Sequence, residues 1–241
     1  MNGWETFFAA VLSKVRTLRK AGVPDPFFRG HRHGNWKLLP SLLRKRIQPA
    51  TEERLYANFQ SLGGHLFPST YSQWDRLFLM QHHGIPTRLL DWTESFAVAL
   101  YFAVKGSRGS GAVWILDPYA MNKATSGDES ALELNLAYPT GYEPFFLDAA
   151  APNYGKFPAP ALAVYGAKLS VRMQWQRAVF TFHSCSTPLE KLCPVALQQV
   201  VLPKGALRDA RDFLLLAGSN EFTIFPDLDG LARHLCMTEL S

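Results

Sequence analysis

The sequence predicts an α+β fold: a single domain with a mixed, mostly antiparallel β core flanked by helices. Three observations carry this. Segments with helical periodicity and segments with strand alternation follow one another without regular βαβ order, which argues against a doubly wound sheet. The chain has 241 residues, of which 47% are hydrophobic and 13% aromatic, so one sizeable core is available and global disorder is excluded. No internal repeat or low-complexity tract divides it. The expected organisation is an N-terminal helix within residues 1–25 packing on a domain of residues 26–241, with a loop-rich insertion at about 120–160.

Taken in order, Trp4, Phe7, Phe8, Val11, Leu12, Val15 and Leu18 share one face of a helix over residues 2–21, stopped by Gly22 and Pro24. Residues 26–30 read as a short strand carrying Phe27, Phe28 and Arg29. Residues 31–41 read as a loop and lead to a basic connector ending at Pro49. A helix starts at Thr51, with Leu55, Phe59 and Leu62 as its inner stripe. The next runs from about Tyr71 to His83 on Trp74, Leu77 and Phe78, and places Gln81 where an apolar residue would be expected. A buried amide needs partners, from a ligand or a loop backbone. After Gly84 and Pro86, a strand around Arg88 feeds the segment 95–103, apolar on every face and so a central element covered on all sides. Thr93 is placed to cap that helix. Residues 112–117 read as a strand and 120–160 mostly as loop with a short helix near 128–136. Strands are predicted at 168–173, 178–183, 196–202 and 222–225, and helices at 204–217 and 228–235.

Arg88 and Asp91 flank Leu89 and Leu90 in apolar surroundings, where an unpaired ion would cost several kcal/mol, so each is expected to be paired with the other or elsewhere. Residues 1–50 hold ten Lys/Arg against Glu5 and Asp25 only. Arg16, Arg19, Lys20, Arg44, Lys45 and Arg46 could therefore draw a nucleic acid, or simply form a solvated face. Cys185, Cys193 and Cys236 have no tight pair spacing and suit a reducing compartment. No apolar run is long enough for a transmembrane helix and the first residues lack a signal-peptide pattern, so a cytoplasmic protein with no membrane partner is expected.

Phosphate loops, zincin motifs and nucleophile elbows are absent. What stands out is Phe28-Arg29-Gly30, then Gln81-His82, Gly84 and the run from Pro86 to Thr93, PTRLLDWT, then Ala99–Ala103, and finally Phe225-Pro226-Asp227-Leu228-Asp229-Gly230. This set resembles the FRG-domain family over about residues 27–235.

A second resemblance is to ADP-ribosyltransferases of the Arg-Ser-Glu type. It rests on Phe28-Arg29-Gly30, on Thr93-Glu94-Ser95 with Ala99 and Phe102, and on Glu221 ahead of 222–225. It departs in reading Trp-Thr-Glu-Ser in the middle element and Ser219 two positions before Glu221. This resemblance implies a split sheet and NAD as substrate. Arg29 and Gly30 would meet its phosphate, ribose or amide groups, and Thr93, Ser95, Gln81, His82 and Gln176 would help to hold it. Glu221 would be the catalytic carboxylate beside Arg29. Apart from the resemblance, Arg88 and Asp91 read as a structural pair that braces the site. An effector of the toxin or phage-defence type would follow, with a nucleic acid or protein as acceptor and a neutralising antitoxin as a possible partner.

Each residue also has a plainer reading: Arg29 as a bridge to Asp91, Glu221 as a solvated strand-entry residue, Gln176 as a partner for a strand edge. A non-catalytic nucleotide-binding module stays open beside the enzyme. So does a metal-dependent nuclease built on His31, His33, His82 and Asp91, although the spacing lacks a metal motif and no metal is expected.

Overall fold

The structure, a computed structural model, describes residues 3–107, 109–130, 132–139, 141–143, 157 and 159–240. Among the described residues, seven strands form one sheet in the order β4-β5-β6-β2-β1-β3-β7. They are β1 (Phe27–His31), β2 (Leu89–Thr93), β3 (Gly111–Leu116), β4 (Leu132–Glu133), β5 (Ala161–Tyr165), β6 (Ala178–His183) and β7 (Leu197–Leu202). Every pairing is antiparallel except the edge pair β4–β5.

The middle of this sheet is weak. β2 pairs with β6 over five residues and β1 with β3 over five, yet β1 and β2 share the single pair Phe28↔Thr93. The two halves are stitched together at one point and part beyond it. The strands are thus linked as one sheet by a ladder that is all but interrupted between β1 and β2.

Strand alternation sorts the core into two faces. Over β1-β3-β7 lie α1 (Gly3–Lys20), α5 (Phe96–Val104) and a late helix, Leu207–Leu216, with Phe7, Val11, Phe28, Leu100, Val113, Ile115 and Leu214 between them. Over β2-β6-β5 lie α3 (Pro49–Gly63) and α4 (Gln73–His82), burying Tyr56, Trp74, Phe78, Leu89, Phe180 and Phe182. The opposite face of the sheet carries Phe27, Leu90, Trp92, Leu116 and Val179 against Leu38, Met121 and Leu189. The α5 helix has six buried residues and touches β1 backbone to backbone. Gly30 makes this possible: a Cβ there would fall into the Ala99 carbonyl and lie 2.7 Å from the Ala103 nitrogen. Its small size serves helix packing.

Several local expectations change. Ser95, not Thr93, caps α5, its Oγ accepting from the Val98 nitrogen at 3.4 Å. On α3, Leu55 and Phe59 pack against the core as expected, but the fully buried residues are Glu52 and Tyr56, and Leu62 is 76% exposed; an ion partner pulls Glu52 inside, as described below. Residues 118–126 form a helix, and β4 and a turn of helix at 134–137 take the place of the helix expected near 128–136. The rest of the expected 120–160 insertion lies largely outside the described residues. Residues 168–173 are not a strand: Ser170 caps a helical turn, Val171–Trp175, and the strand next to β6 is Ala161–Tyr165. Residues 222–225 are likewise helical, within Glu221–Ile224, because Asn220 and Thr223 form a capping box whose local hydrogen bonds outcompete a strand.

Candidate functional site

The seam between β1 and β2 opens into a cleft of about 540 Å³, roofed by α5 and by the helical turn Val171–Trp175. Continuing the β1–β2 register would set Gly30 opposite Asp91, but no pair forms there. Instead the Arg29 Nη1 donates to the Asp91 carbonyl, and its Nε donates to His31 Nε2 at 3.0 Å. The guanidinium supplies the donor that the interrupted ladder lacks. With its backbone carbonyl satisfied in this way, Asp91 directs its carboxylate into the cleft.

A short relay fixes that carboxylate. Thr87 Oγ1 accepts from the Leu89 nitrogen at 3.1 Å and donates to Gln81 Oε1 at 2.6 Å. Gln81 Nε2 in turn donates to Asp91 Oδ2 at 2.9 Å. This is why an amide stands in the α4 stripe. Asp91 is the exposed residue of β2 and meets solvent through the cleft. Desolvation raises its proton affinity above the ordinary carboxylate range, against the pull of Arg29, the Gln81 hydrogen bond and Arg172.

Cations outnumber this acid. Arg29, Arg32, Lys105 and Arg172 all line the cleft, where Asp91 is the one carboxylate among the lining residues. Arg172 is half-buried, its Nε is enclosed without a hydrogen-bond partner, and burial lowers its pKa despite Asp227 and Asp91 nearby. Arg32 lies over the Trp36 ring at 5.1 Å; Trp36, 43% exposed, and Phe102 both line the cleft. His82 is held down to about 4 by burial, Arg172 and His83, so it is neutral at neutral pH. Beneath the seam, His31 and His183 are both pushed down to about 3, by burial and then by Arg29. Thr181 joins His183 Nε2 at 2.9 Å and accepts from Trp92 Nε1 at 3.1 Å.

The structure therefore brings Arg29, Gly30, Gln81, His82, Asp91, Thr93 and Gln176 to one cleft. Thr93 and Gln176 are struts within it. Thr93 Oγ1 donates to the Gln176 carbonyl at 2.6 Å and accepts from the Ser95 nitrogen at 3.0 Å, while Gln176 Nε2 donates to the Ile224 carbonyl at 2.9 Å. Ser95 is spent on its cap and does not line the cleft.

Two sequence expectations change most. Arg88 does not pair with Asp91: Arg88 stands just before β2 and Asp91 is its third residue, and this odd separation along extended chain sends the two side chains to opposite faces. Arg88 makes a two-pronged ion pair with Glu52, Nε–Oε1 and Nη2–Oε2 both 2.7 Å, and Nη1 donates to the Ser184 carbonyl at 3.1 Å. Tyr142 donates its hydroxyl to the same Glu52 carboxylate. Glu221 is equally occupied. Its oxygens accept from Tyr101, from Lys105 at 2.8 and 2.9 Å, and from Arg233 at 2.7 Å. Burial would raise this carboxyl, but those donors outweigh it and hold the group at about 2. Glu221 does not line the cleft; it reaches it only through Lys105. Sequence reasoning overlooked Lys105 and Arg172. The position of Lys105 just after the apolar helix was a signal; Arg172 was hidden by the strand assignment for 168–173.

Among the described residues no group of three His, Cys, Asp or Glu side chains is placed to hold a metal ion, and no helix is long and apolar enough to cross a membrane. Of the basic N-terminal residues, Arg44 lies near enough to Arg29 and His31 to depress both. Arg16, Arg19 and Lys20 belong to α1, Arg44 ends the turn Ser41–Arg44, and Lys45 and Arg46 follow it. Residues 25–111 match the FRG domain family model. That span runs from β1 to the first residue of β3 and contains the Arg29, Gln81, Arg88 and Asp91 positions, but not Phe225–Gly230. No curated protein and no solved structure matches the chain.

Proposed function

We propose that this FRG-domain chain binds a phosphate-bearing nucleotide of the NAD type in the seam cleft, with Asp91 as the carboxylate that faces the ligand. The observation that carries the reading is one solvent-reached acid of raised proton affinity, on an interrupted ladder, among four cations. A dinucleotide asks for cations at its pyrophosphate, a flat apolar surface for a base and a hydrogen-bond acceptor for ribose hydroxyls. Arg172 and Lys105, Trp36 and Phe102, and Asp91 offer these in turn. A volume of about 540 Å³ suits a ligand of that size.

In its catalytic form the reading assigns to Asp91 the part that the transferase resemblance implied for Glu221. The glycosidic C–N bond to nicotinamide breaks, and nicotinamide leaves as a neutral base with the bonding pair. Asp91 stabilises the ribosyl cation, and a water or acceptor hydroxyl adds at the same carbon and gives its proton to the carboxylate. Purified protein then releases nicotinamide from NAD, and Asp91→Asn lowers the rate by about 10²–10⁴. No release above a no-protein control refutes the catalytic form.

A second reading, a binding module without turnover, is favoured by one observation. Arg29 donates to groups of the protein itself, the Asp91 carbonyl and His31. It predicts NAD affinity with no nicotinamide release. The effector role, with a nucleic acid drawn by Arg44 and its basic neighbours, predicts growth arrest on expression that Asp91→Asn relieves.

A further inference from the structure

The C-terminal segment beyond the FRG match carries an unusual charge arrangement at the edge of the cleft. Three cations gather around the Phe225 ring: Lys105 at 4.6 Å, Arg172 at 4.6 Å and Arg233 at 5.3 Å from its centroid. One carboxylate, Glu221, serves Lys105 and Arg233. The Arg172 side chain has no ion-pair or hydrogen-bond partner among the described residues. Asp227 lies close enough to influence it, but its carboxylate oxygen accepts from the Gly230 nitrogen at 2.7 Å as a helix cap.

The ring that collects these cations is held in place. Gln176 Nε2 ties the Ile224 carbonyl to the Val171–Trp175 turn at 2.9 Å. Gly230 lets the last helix, Leu228–Glu239, close directly onto Phe225, where a Cβ would collide with the Phe225 carbonyl and come within 2.8 Å of its Cβ. The Phe-Pro-Asp-Leu-Asp-Gly run thus exists to fix one aromatic face against two side chains, Lys105 and Arg172, that both line the cleft. Like charges held this close repel one another, and burial adds to the cost for Arg172. A bound oxyanion removes both penalties, and the guanidinium fork matches its oxygens.

We propose that Arg172 and Lys105, set against Phe225, form an oxyanion subsite that takes the phosphoryl groups of the cleft ligand, with the ligand's base directed toward Trp36. This rests on the reading of the cleft as a nucleotide site and assigns the ligand its direction. The 221–240 segment is then part of the binding site, although it lies outside the family match.

The test is calorimetric titration of the full chain with inorganic pyrophosphate, ADP, adenosine and NAD. Pyrophosphate and ADP bind, and adenosine binds at least tenfold more weakly than ADP. Arg172→Gln lowers ADP affinity at least tenfold and leaves adenosine unchanged, with Arg172→Lys between the two. Equal ADP affinity in wild type and Arg172→Gln overturns the subsite, as does failure to bind any phosphate probe. The two readings fail separately. NAD binding that ignores Arg172 sinks the subsite alone. Arg172-dependent pyrophosphate binding with no NAD binding supports the subsite and sinks the NAD assignment.

Discussion

Glu52→Gln tests the ion pair that braces the seam. Glu52 and Arg88 are 4% and 6% exposed, and the carboxylate accepts two guanidinium hydrogen bonds at 2.7 Å. The substitution leaves a buried guanidinium without its counter-charge, a change that costs about 3–5 kcal/mol. For a domain of this size each kcal/mol lowers the melting temperature by about 2–4 °C, so the expected drop is roughly 6–20 °C. Differential scanning calorimetry with a urea titration at neutral pH reads it. The double variant Glu52→Leu with Arg88→Met should recover much of the loss, because an apolar pair carries no ionic desolvation cost. Its recovery stays partial, since the Tyr142 hydroxyl and the Ser184 carbonyl lose partners worth about 1–3 kcal/mol each when left unmet. A melting temperature for Glu52→Gln within about 2 °C of wild type would refute the argument, since water would then be reaching Arg88.

Three further outcomes follow from the cleft. Asp91 has a raised pKa, so the folded state holds its proton more tightly than the unfolded chain, and stability falls as pH rises through the interval above 3.8. Asp91→Asn should therefore melt higher than wild type at pH 7, with the gain vanishing below pH 4; a variant that melts lower at both would contradict the assignment. His31 and His183 are held near 3 in the fold against an ordinary 6.5, so they favour the folded state above pH 6.5 and progressively lose that contribution as pH drops toward 3. Together they give a slope of up to about 2.7 kcal/mol per pH unit, which urea midpoints between pH 7 and 4.5 should show and His183→Gln should reduce. Gly30→Ala places a methyl group into the α5 backbone, and soluble protein with an unchanged melting temperature would show that β1 and α5 can separate.

Much of the fold follows from local pattern. The apolar run at 96–104, the alternation at 178–183 and the stripe on α4 each specify their element, because helix and strand periods differ and short-range packing respects them. Errors cluster where side-chain hydrogen bonds override propensity. Asn220 and Thr223 turn an apolar Phe222–Phe225 run into helix, and Ser170 does the same at Val171. The site was half legible. Arg29, Gln81 and Asp91 stood out as polar groups in apolar company, and all three meet at the seam.

By itself the sequence determined the α+β class, the central buried helix and a motif whose polar residues had to find partners. Which partner each one found was left to tertiary structure. Arg88 took a carboxylate 36 positions away on α3, Glu221 was taken up by Tyr101, Lys105 and Arg233, and Asp91 was left facing the cleft. The physical reason is that a charge pairs with whatever packing brings within about 3 Å, and chain spacing does not encode that distance. The seam is settled at the same level: β1 and β2 share one residue pair, and Arg29 bonds to the Asp91 carbonyl where the backbone ladder would have continued.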